Sequence, residues 1–222
     1  YGASSLGGVL KFVTNAPTHV QEMRAEGSVE STDGGDMSYS LKAMVNVPAG
    51  DKLALRASAF YQRDGGWIDS VGVNPVGDLF GLMNVSNGTK VAENINGSTK
   101  YGGRISALFT PADNLSIRLT ATSQNIRSEN ANTVIADPTT LDQLYGGNVQ
   151  NRYLDQPHTF NYRVFSGVVD WDLGPDTLTS ATGYSQVKEG IYTDGTVITS
   201  FGAIATTLAE IGAFGPGQLV TE

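Results

Sequence analysis

Apolar and polar residues alternate along several stretches of the chain. The pattern is cleanest from Met37 to Val47, where the odd-numbered residues are apolar and the even-numbered ones, with one exception, are polar. A period of two is typical of a β-strand with one apolar and one polar face. The seventh such segment is the least regular, because only Leu178 and Tyr184 mark its apolar face. The pattern predicts seven strands, at residues 20–31, 37–47, 53–62, 101–109, 115–122, 162–173 and 178–188.

The connections between these strands fall into two length classes. Tight turns are predicted at 33–36, 48–52, 111–114 and 174–177, and long loops at 64–99, 126–161 and 189–222. Apart from the turn at 33–36, short and long connections alternate, which collects the long loops at one end of the strands. Outer-membrane β-barrels have this arrangement, with short periplasmic turns and long extracellular loops. A β-sandwich gives no reason for it, but remains an alternative.

Aromatic residues lie near both ends of the predicted strands. Tyr61 and Tyr101 are close to the long loops, while Phe109 and Trp171 are close to the tight turns. Aromatic rings favour the two membrane–water interfaces. Their positions therefore favour strands that cross a bilayer at a tilt, for which about ten residues suffice.

The composition excludes several classes of function. A net charge of -8 and a pI near 4.7 leave no basic footprint, which argues against nucleic-acid binding. The chain has no cysteine, so it has neither disulfides nor thiolate metal sites. No apolar run approaches the ~18 residues that predict a membrane helix.

Residues suited to catalysis are sparse. The two histidines, His19 and His158, lack a metal-ligand pattern such as H-E-x-x-H. An outer-membrane lipase would need a serine and an orienting group beside His158, and no motif supplies them. Asp170 and Asp172 alternate beside a tight turn, where a solvated rim is expected rather than an acid–base pair. We therefore predict that the chain is not an enzyme and has no catalytic, cofactor-binding or metal-binding residues.

The N-terminal stretch carries a more specific pattern. A glycine pair is followed by a β-rich run, Val9 to Thr14, which Pro17 ends because proline cannot donate to a sheet. The pattern YGxxSxGGVLxFVTxxP resembles the point where the plug domain of TonB-dependent outer-membrane receptors continues into the barrel. Segments 59–69, 101–111 and 169–184 are similar to the barrel of the same receptors. The residues of this plug-exit motif are Tyr1, Gly2, Gly7, Gly8 and Pro17.

The resemblance implies an all-β fold and a location in the bacterial outer membrane. Residues 1–18 would be the end of the plug, and residues 19–222 about seven antiparallel strands of a larger, 22-stranded transmembrane β-barrel. Most of the plug and its TonB-contact segment are not in the sequence. We therefore expect an internal fragment that alone neither transports nor remains soluble and monomeric.

The resemblance also implies active import of a scarce ligand. The ligand would be a ferric siderophore or another iron complex, with energy from the TonB–ExbB–ExbD complex and with outer-membrane lipid around the barrel. The alternative is a passive, porin-like protein, or a structural or binding β-protein, without energy-coupled transport.

Two sets of residues are candidates for ligand or plug contacts. Basic residues on the polar faces of the strands are expected to point into the lumen, where they would pair with plug carboxylates, attract an anionic iron complex or simply be solvated. Aromatic residues in the loops are expected to be exposed and able to contact a ligand. The basic residues are Arg24, Lys42, Arg56, Arg104 and Arg118, and the aromatic residues are Trp67, Tyr145 and Tyr153.

Overall fold

The structure is a computed structural model, and it describes residues 13–72, 88–137, 139–152 and 154–194 together with the backbone of 218–221. These residues form an all-β fold with one short 3-10 turn, Leu144–Gly146. The strands are β1 Glu22–Ser31, β2 Met37–Pro48, β3 Leu53–Asp64, β4 Asp69–Val71, β5 Lys90–Ala92, β6 Ser98–Ala112, β7 Leu115–Ser128, β8 Val149–Gln150, β9 His158–Asp172, β10 Thr177–Asp194 and β11 Gln218–Thr221.

One large antiparallel sheet dominates the fold. Its order is β1-β2-β3-β6-β7-β9-β10-β11, and it is open, with β1 at one end and β11 at the other. The seven long strands are the seven that the alternation predicts, so that prediction is confirmed. Five of them, β3, β6, β7, β9 and β10, run further toward the long connections than predicted. The residues there are mainly polar, so the extensions lack the alternation of the strand centres.

The tight turns lie where they were predicted. The Gly35 N–H donates to the Thr32 carbonyl at 3.1 Å, and the Ala49 N–H donates to that of Leu53 at 2.7 Å. Gly34 and Gly50 have φ angles of 69° and 78°, which glycine adopts without the steric cost of a Cβ. The turns at 48–52, 111–114 and 174–177 lie at one end of the strands, which we call the turn end. We call the opposite end, where the long connections and the turn at 33–36 lie, the loop end.

Burial in the large sheet is the reverse of that in a soluble protein. On the face that carries the alternating apolar residues, the apolar face, Leu41 is 62% exposed and Ile105 is 65% exposed. On the opposite, polar face Asn46 is 0% and Ser106 is 1% exposed. The polar face also carries a hydrogen bond of 2.9 Å between Ser106 and Thr120. No second sheet covers the apolar face within the described ranges, so this part of the chain is not a sandwich.

The described parts of the first two long loops contain regular structure that the sequence did not predict. β4 pairs with β5 in antiparallel and with β8 in parallel orientation, which makes a small three-stranded sheet. Its strands have two or three residues, too few to show a period. Because the long strands extend beyond their predicted ends, the first long connection runs from 65 to 97 and the second from 129 to 157. Of the third predicted loop, residues 195–217 lie outside the described part.

Candidate functional site: the polar face and the loop cap

The structure places all five predicted basic residues on the polar face. Arg56, Arg104 and Arg118 lie on the neighbouring strands β3, β6 and β7, around the buried Ser106. Arg24 and Lys42 lie on β1 and β2, at the edge of the sheet. Strand parity predicts this face correctly, but cross-strand register decides which of these residues are neighbours.

Two glutamates of β1 neutralise part of this charge. Glu22 lies 2.6 Å from Arg24 and 3.3 Å from Arg56, and Glu26 lies 3.0 Å from Lys42. The two glutamates were not predicted as site residues. Their even-numbered positions on β1 nevertheless place them on the polar face, together with Arg24. Exposed pairs of this kind stabilise the fold by about 1 kcal/mol or less. Their main effect is to leave the positive charge concentrated at the remaining arginines.

Arg104 and Arg118 form no ion pair within the described ranges. The Arg104 guanidinium donates to the carbonyl oxygen of Asn15 at 3.2 Å. A cation that donates to a carbonyl keeps its full positive charge. The centre of the polar face is therefore electropositive and in contact with the segment that precedes β1.

This preceding segment, residues 15–20, lies across the polar face and is held by Asn46. The Asn46 side chain donates to the carbonyls of Thr18 and Val20, both at 2.7 Å, and accepts from the Thr18 N–H at 3.1 Å. Pro17 is fully buried beside it. A side-chain amide that satisfies three backbone groups replaces the strand partner that this irregular segment lacks.

Only part of the predicted plug-exit motif is visible. Pro17 lies in the segment on the polar face, whereas Tyr1, Gly2, Gly7 and Gly8 lie outside the described residues. Val13 and Thr14, the end of the predicted short strand, have no regular structure.

The loops pack into a small domain at the loop end, here called the loop cap, made of residues 65–72, 88–97, 129–137, 139–152 and 154–157. Besides Ala54 and Pro17, the buried apolar residues of the described chain are in it: Ile68, Val71 and Val149. Asn96 is 5% exposed and accepts from the N–H groups of Trp67 and Ile68, at 2.7 and 2.8 Å. Its own amide donates to Asn132 at 2.7 Å. One buried asparagine therefore links the two loops.

The three predicted loop aromatics have different environments. Trp67 is half-buried in the loop cap, so the prediction that it is exposed is wrong, while its role as a ligand contact stays a prediction. Tyr145 is 45% exposed and has a φ of 59°, which is uncommon for a residue with a side chain. Tyr153 lies outside the described residues.

Truncating Ile68 to alanine is expected to loosen the loop cap and leave the large sheet intact. Ile68 is 0% exposed, and deleting such a side chain costs about 2–5 kcal/mol. Hydrogen exchange at the Trp67 and Ile68 amides reports the change. The matched control is Val91→Ala on β5, because Val91 is 65% exposed and its truncation should change stability by less than about 0.5 kcal/mol. Equal exchange rates in both variants would show that no packed cap exists.

The loop cap also contains an ion pair that makes its stability depend on pH. Lys90 lies 2.6 Å from Asp69, and the Asn94 N–H donates to Asp69 at 3.0 Å. Burial alone would raise the pKa of Asp69, but the hydrogen bonds and charge of these partners outweigh it and hold the pKa below the ordinary value of 3.8. A lowered pKa stabilises the folded state above the unfolded pKa, and this contribution is lost as pH falls below it.

We expect the Asn94 amide to lose protection from hydrogen exchange between pH 5 and about pH 3. In Asp69→Asn the protection of the Asn94 amide should be lower at pH 5 and should change little with pH. A pH dependence that persists unchanged in Asp69→Asn would contradict the assignment to this pair.

The remaining candidates for chemistry have structural partners. His158 lies 2.7 Å from Glu189 across β9 and β10. Asp170 accepts from the Thr179 hydroxyl at 2.7 Å, and Asp172 accepts from the Gly174 N–H at 2.8 Å. The described ranges contain no group of three or more His, Cys, Asp or Glu residues that could hold a metal ion.

The apolar face is bordered by aromatic residues. Tyr39 and Tyr61 stack with centroids 6.1 Å apart, and Tyr61 lies directly opposite Tyr101. Further along the sheet Phe165 and Tyr184 stack at 6.5 Å. At the turn end Phe109 is 43% and Trp171 is 44% exposed. Rings therefore mark both ends of the apolar face, as the sequence predicts.

Among the residues that the structure describes, no helix is long and apolar enough to span a membrane. Comparisons of the chain with protein-family models, with curated proteins and with solved structures find no match.

Proposed function

We propose that this chain is part of a transmembrane β-barrel of the bacterial outer membrane, in a TonB-dependent importer of a ferric siderophore or another iron complex. The observation that carries the membrane assignment is the inverted burial of the large sheet. Exposed apolar side chains on one whole sheet face would be a severe aggregation hazard in water. Facing lipid, the same side chains are in their preferred solvent, and the polar face is directed to the barrel interior.

The dimensions of the apolar face support this assignment. Tyr101 and Phe109 lie eight residues apart on β6, which is about 26 Å along a strand at about 3.3 Å per residue. A strand tilted by about 40° then covers about 20 Å of membrane thickness between the two rings. This value is close to the apolar band of about 25 Å in outer-membrane barrels.

The polar face supports import rather than a purely structural role. The segment at 15–20 crosses this face, as the end of a plug inside a barrel would. Arg104 contacts this segment, and Arg118 lies near Arg104. Neither has an ion pair in the described chain, so an anion or a carboxylate of an interior domain could bind there. The loop cap lies at the extracellular end in this orientation.

Uptake of iron by cells with and without the gene tests the transport proposal. The probes are radioactive ferric complexes of one hydroxamate and one catecholate siderophore, and the full-length gene product is used. We expect uptake of at least one complex to require both the gene and the proton motive force. Uptake that requires the gene but survives a protonophore would instead support the passive, porin-like alternative. Recovery of the protein from the inner membrane or the soluble fraction would overturn both.

A further inference from the structure

A cluster of cations lies on the apolar side of the sheet, just beyond the aromatic pair Phe165–Tyr184. Phe165 lies directly opposite Tyr184, the next outward pair toward the loop end is Arg163–Gln186, and the pair after that is Asn161–Lys188. Arg163 and Lys188 are therefore diagonal neighbours, with Cα atoms about 7–8 Å apart. Their side chains are both exposed on the same face.

The cluster continues on β7, where the neighbouring acid Glu129 is already paired with Arg63 at 2.7 Å. Arg127, which is exposed, lies on the same face opposite Thr159 of β9. Arg127, Arg163 and Lys188 form no ion pair with any residue in the described ranges. Three unpaired cations are unusual in a chain whose net charge is -8. None of the outward residues between them is acidic; these residues are Ser123, Asn125, Thr159, Asn161, Gln186 and Gly190.

An apolar depression begins at this cluster and runs into the apolar face. It has a volume of about 890 Å³, and Arg163 and Phe165 lie at one end of it. Ala59, Gly103 and Ala121, on three neighbouring strands, line its floor. Small side chains there leave a shallow groove beside the larger Phe165 ring.

We propose that this surface binds one anionic lipid of the outer leaflet. The negatively charged headgroup lies between Arg163 and Lys188, the polar amides of Asn161 and Gln186 bind its other oxygens, and an acyl chain follows Phe165 into the groove. The position fits this occupant, since headgroups lie next to the aromatic belt of a membrane protein. Each cation near an anionic lipid surface strengthens binding about fivefold. A bound lipid would link β7, β9 and β10 below the loop cap.

The proposal depends on the membrane orientation proposed above, and the experiment separates the two. The chain has no cysteine, so a cysteine introduced at Asn125, which lies opposite Asn161, takes a fluorescent label beside the cluster, and one at Leu119 takes a label on the apolar face. The full-length protein is folded into phosphatidylcholine vesicles that contain either brominated phosphatidylglycerol or brominated phosphatidylcholine as quencher. Competition between the two lipids gives the relative lipid affinity at each label.

At Asn125→Cys we expect the anionic lipid to bind at least fivefold more tightly than the zwitterionic lipid. The preference should fall to less than about twofold when Arg163→Gln and Lys188→Gln are combined. Arg24→Gln with Lys42→Gln removes the same charge from the polar face and should leave the preference unchanged. Lys188→Gln alone replaces the double variant if the latter fails to fold, with an intermediate preference expected.

Two outcomes would overturn the lipid site and leave the membrane assignment in place: equal affinity for both lipids at position 125, or an equal loss of preference in the polar-face control. In both of these cases the label at position 119 would still be quenched. No quenching at position 119 by either lipid would overturn the membrane orientation, and the lipid site with it.

Discussion

Leu119→Arg is expected to lower the free energy of unfolding from a bilayer by about 2–4 kcal/mol. Leu119 lies on the central strand β7, opposite Ala107 and Gly167, and is 58% exposed on the apolar face. In lipid its replacement puts a charge near the middle of the hydrocarbon layer. Urea unfolding of the protein in vesicles, followed by tryptophan fluorescence, measures the change.

The matched control places the same charge on the other face. Ser185 on β10 is exposed, lies opposite Val164 and belongs to the polar face. Ser185→Arg should change the unfolding free energy by less than about 0.5 kcal/mol, as for an ordinary solvated position. Small and equal effects at Leu119 and Ser185 would mean that water covers both faces, and the membrane assignment would then be wrong.

Asn46→Ala is expected to release the segment at 15–20 from the polar face, at a cost of about 2–4 kcal/mol. The substitution removes the partners of the Thr18 N–H and of the Thr18 and Val20 carbonyls, in a place where Asn46 is 0% exposed. Buried backbone groups that lose their partner must be hydrated again, so the segment should detach. Hydrogen exchange at the Thr18 amide should become at least about thirtyfold faster, and proteases should cut near residue 18.

Asn114→Ala is the control for this prediction. Asn114 is exposed at the turn end and makes one hydrogen bond, to the Asp172 carbonyl at 2.9 Å. Its loss should cost about 1 kcal/mol or less and leave exchange at Thr18 unchanged. If Asn46→Ala also leaves the Thr18 amide protected, the segment is held by other contacts, and Asn46 does not position it.

Local sequence patterns were sufficient for the strands and turns of the large sheet. The alternation from Met37 to Val47 defines two faces because side chains of an extended chain point alternately to either side. Gly34 and Gly50 mark turns because glycine adopts a positive φ angle without the steric cost that a residue with a Cβ would meet. Both signals involve residues close in sequence, so they can be recognised without knowledge of the partner strands.

The contacts of the candidate site could not be predicted in the same way. Asn46 binds Thr18 across 28 residues, and Asn96 binds Trp67 across 29. Each asparagine resembles many other polar residues of the chain until the segments that it joins are placed side by side. Trp67 was expected to be exposed because it lies in an irregular stretch, yet packing of two loops half-buries it.

The sequence by itself therefore determined an all-β chain of seven alternating strands, with five predicted basic residues on the polar faces and its long connections at one end. Only the tertiary structure decided which face is covered and which residues meet. The exposed apolar face, the segment held by Asn46, and the approach of Arg163 to Lys188 all depend on strand register. Register follows from pairing between distant segments, and a shift of one residue would reverse both faces of a strand.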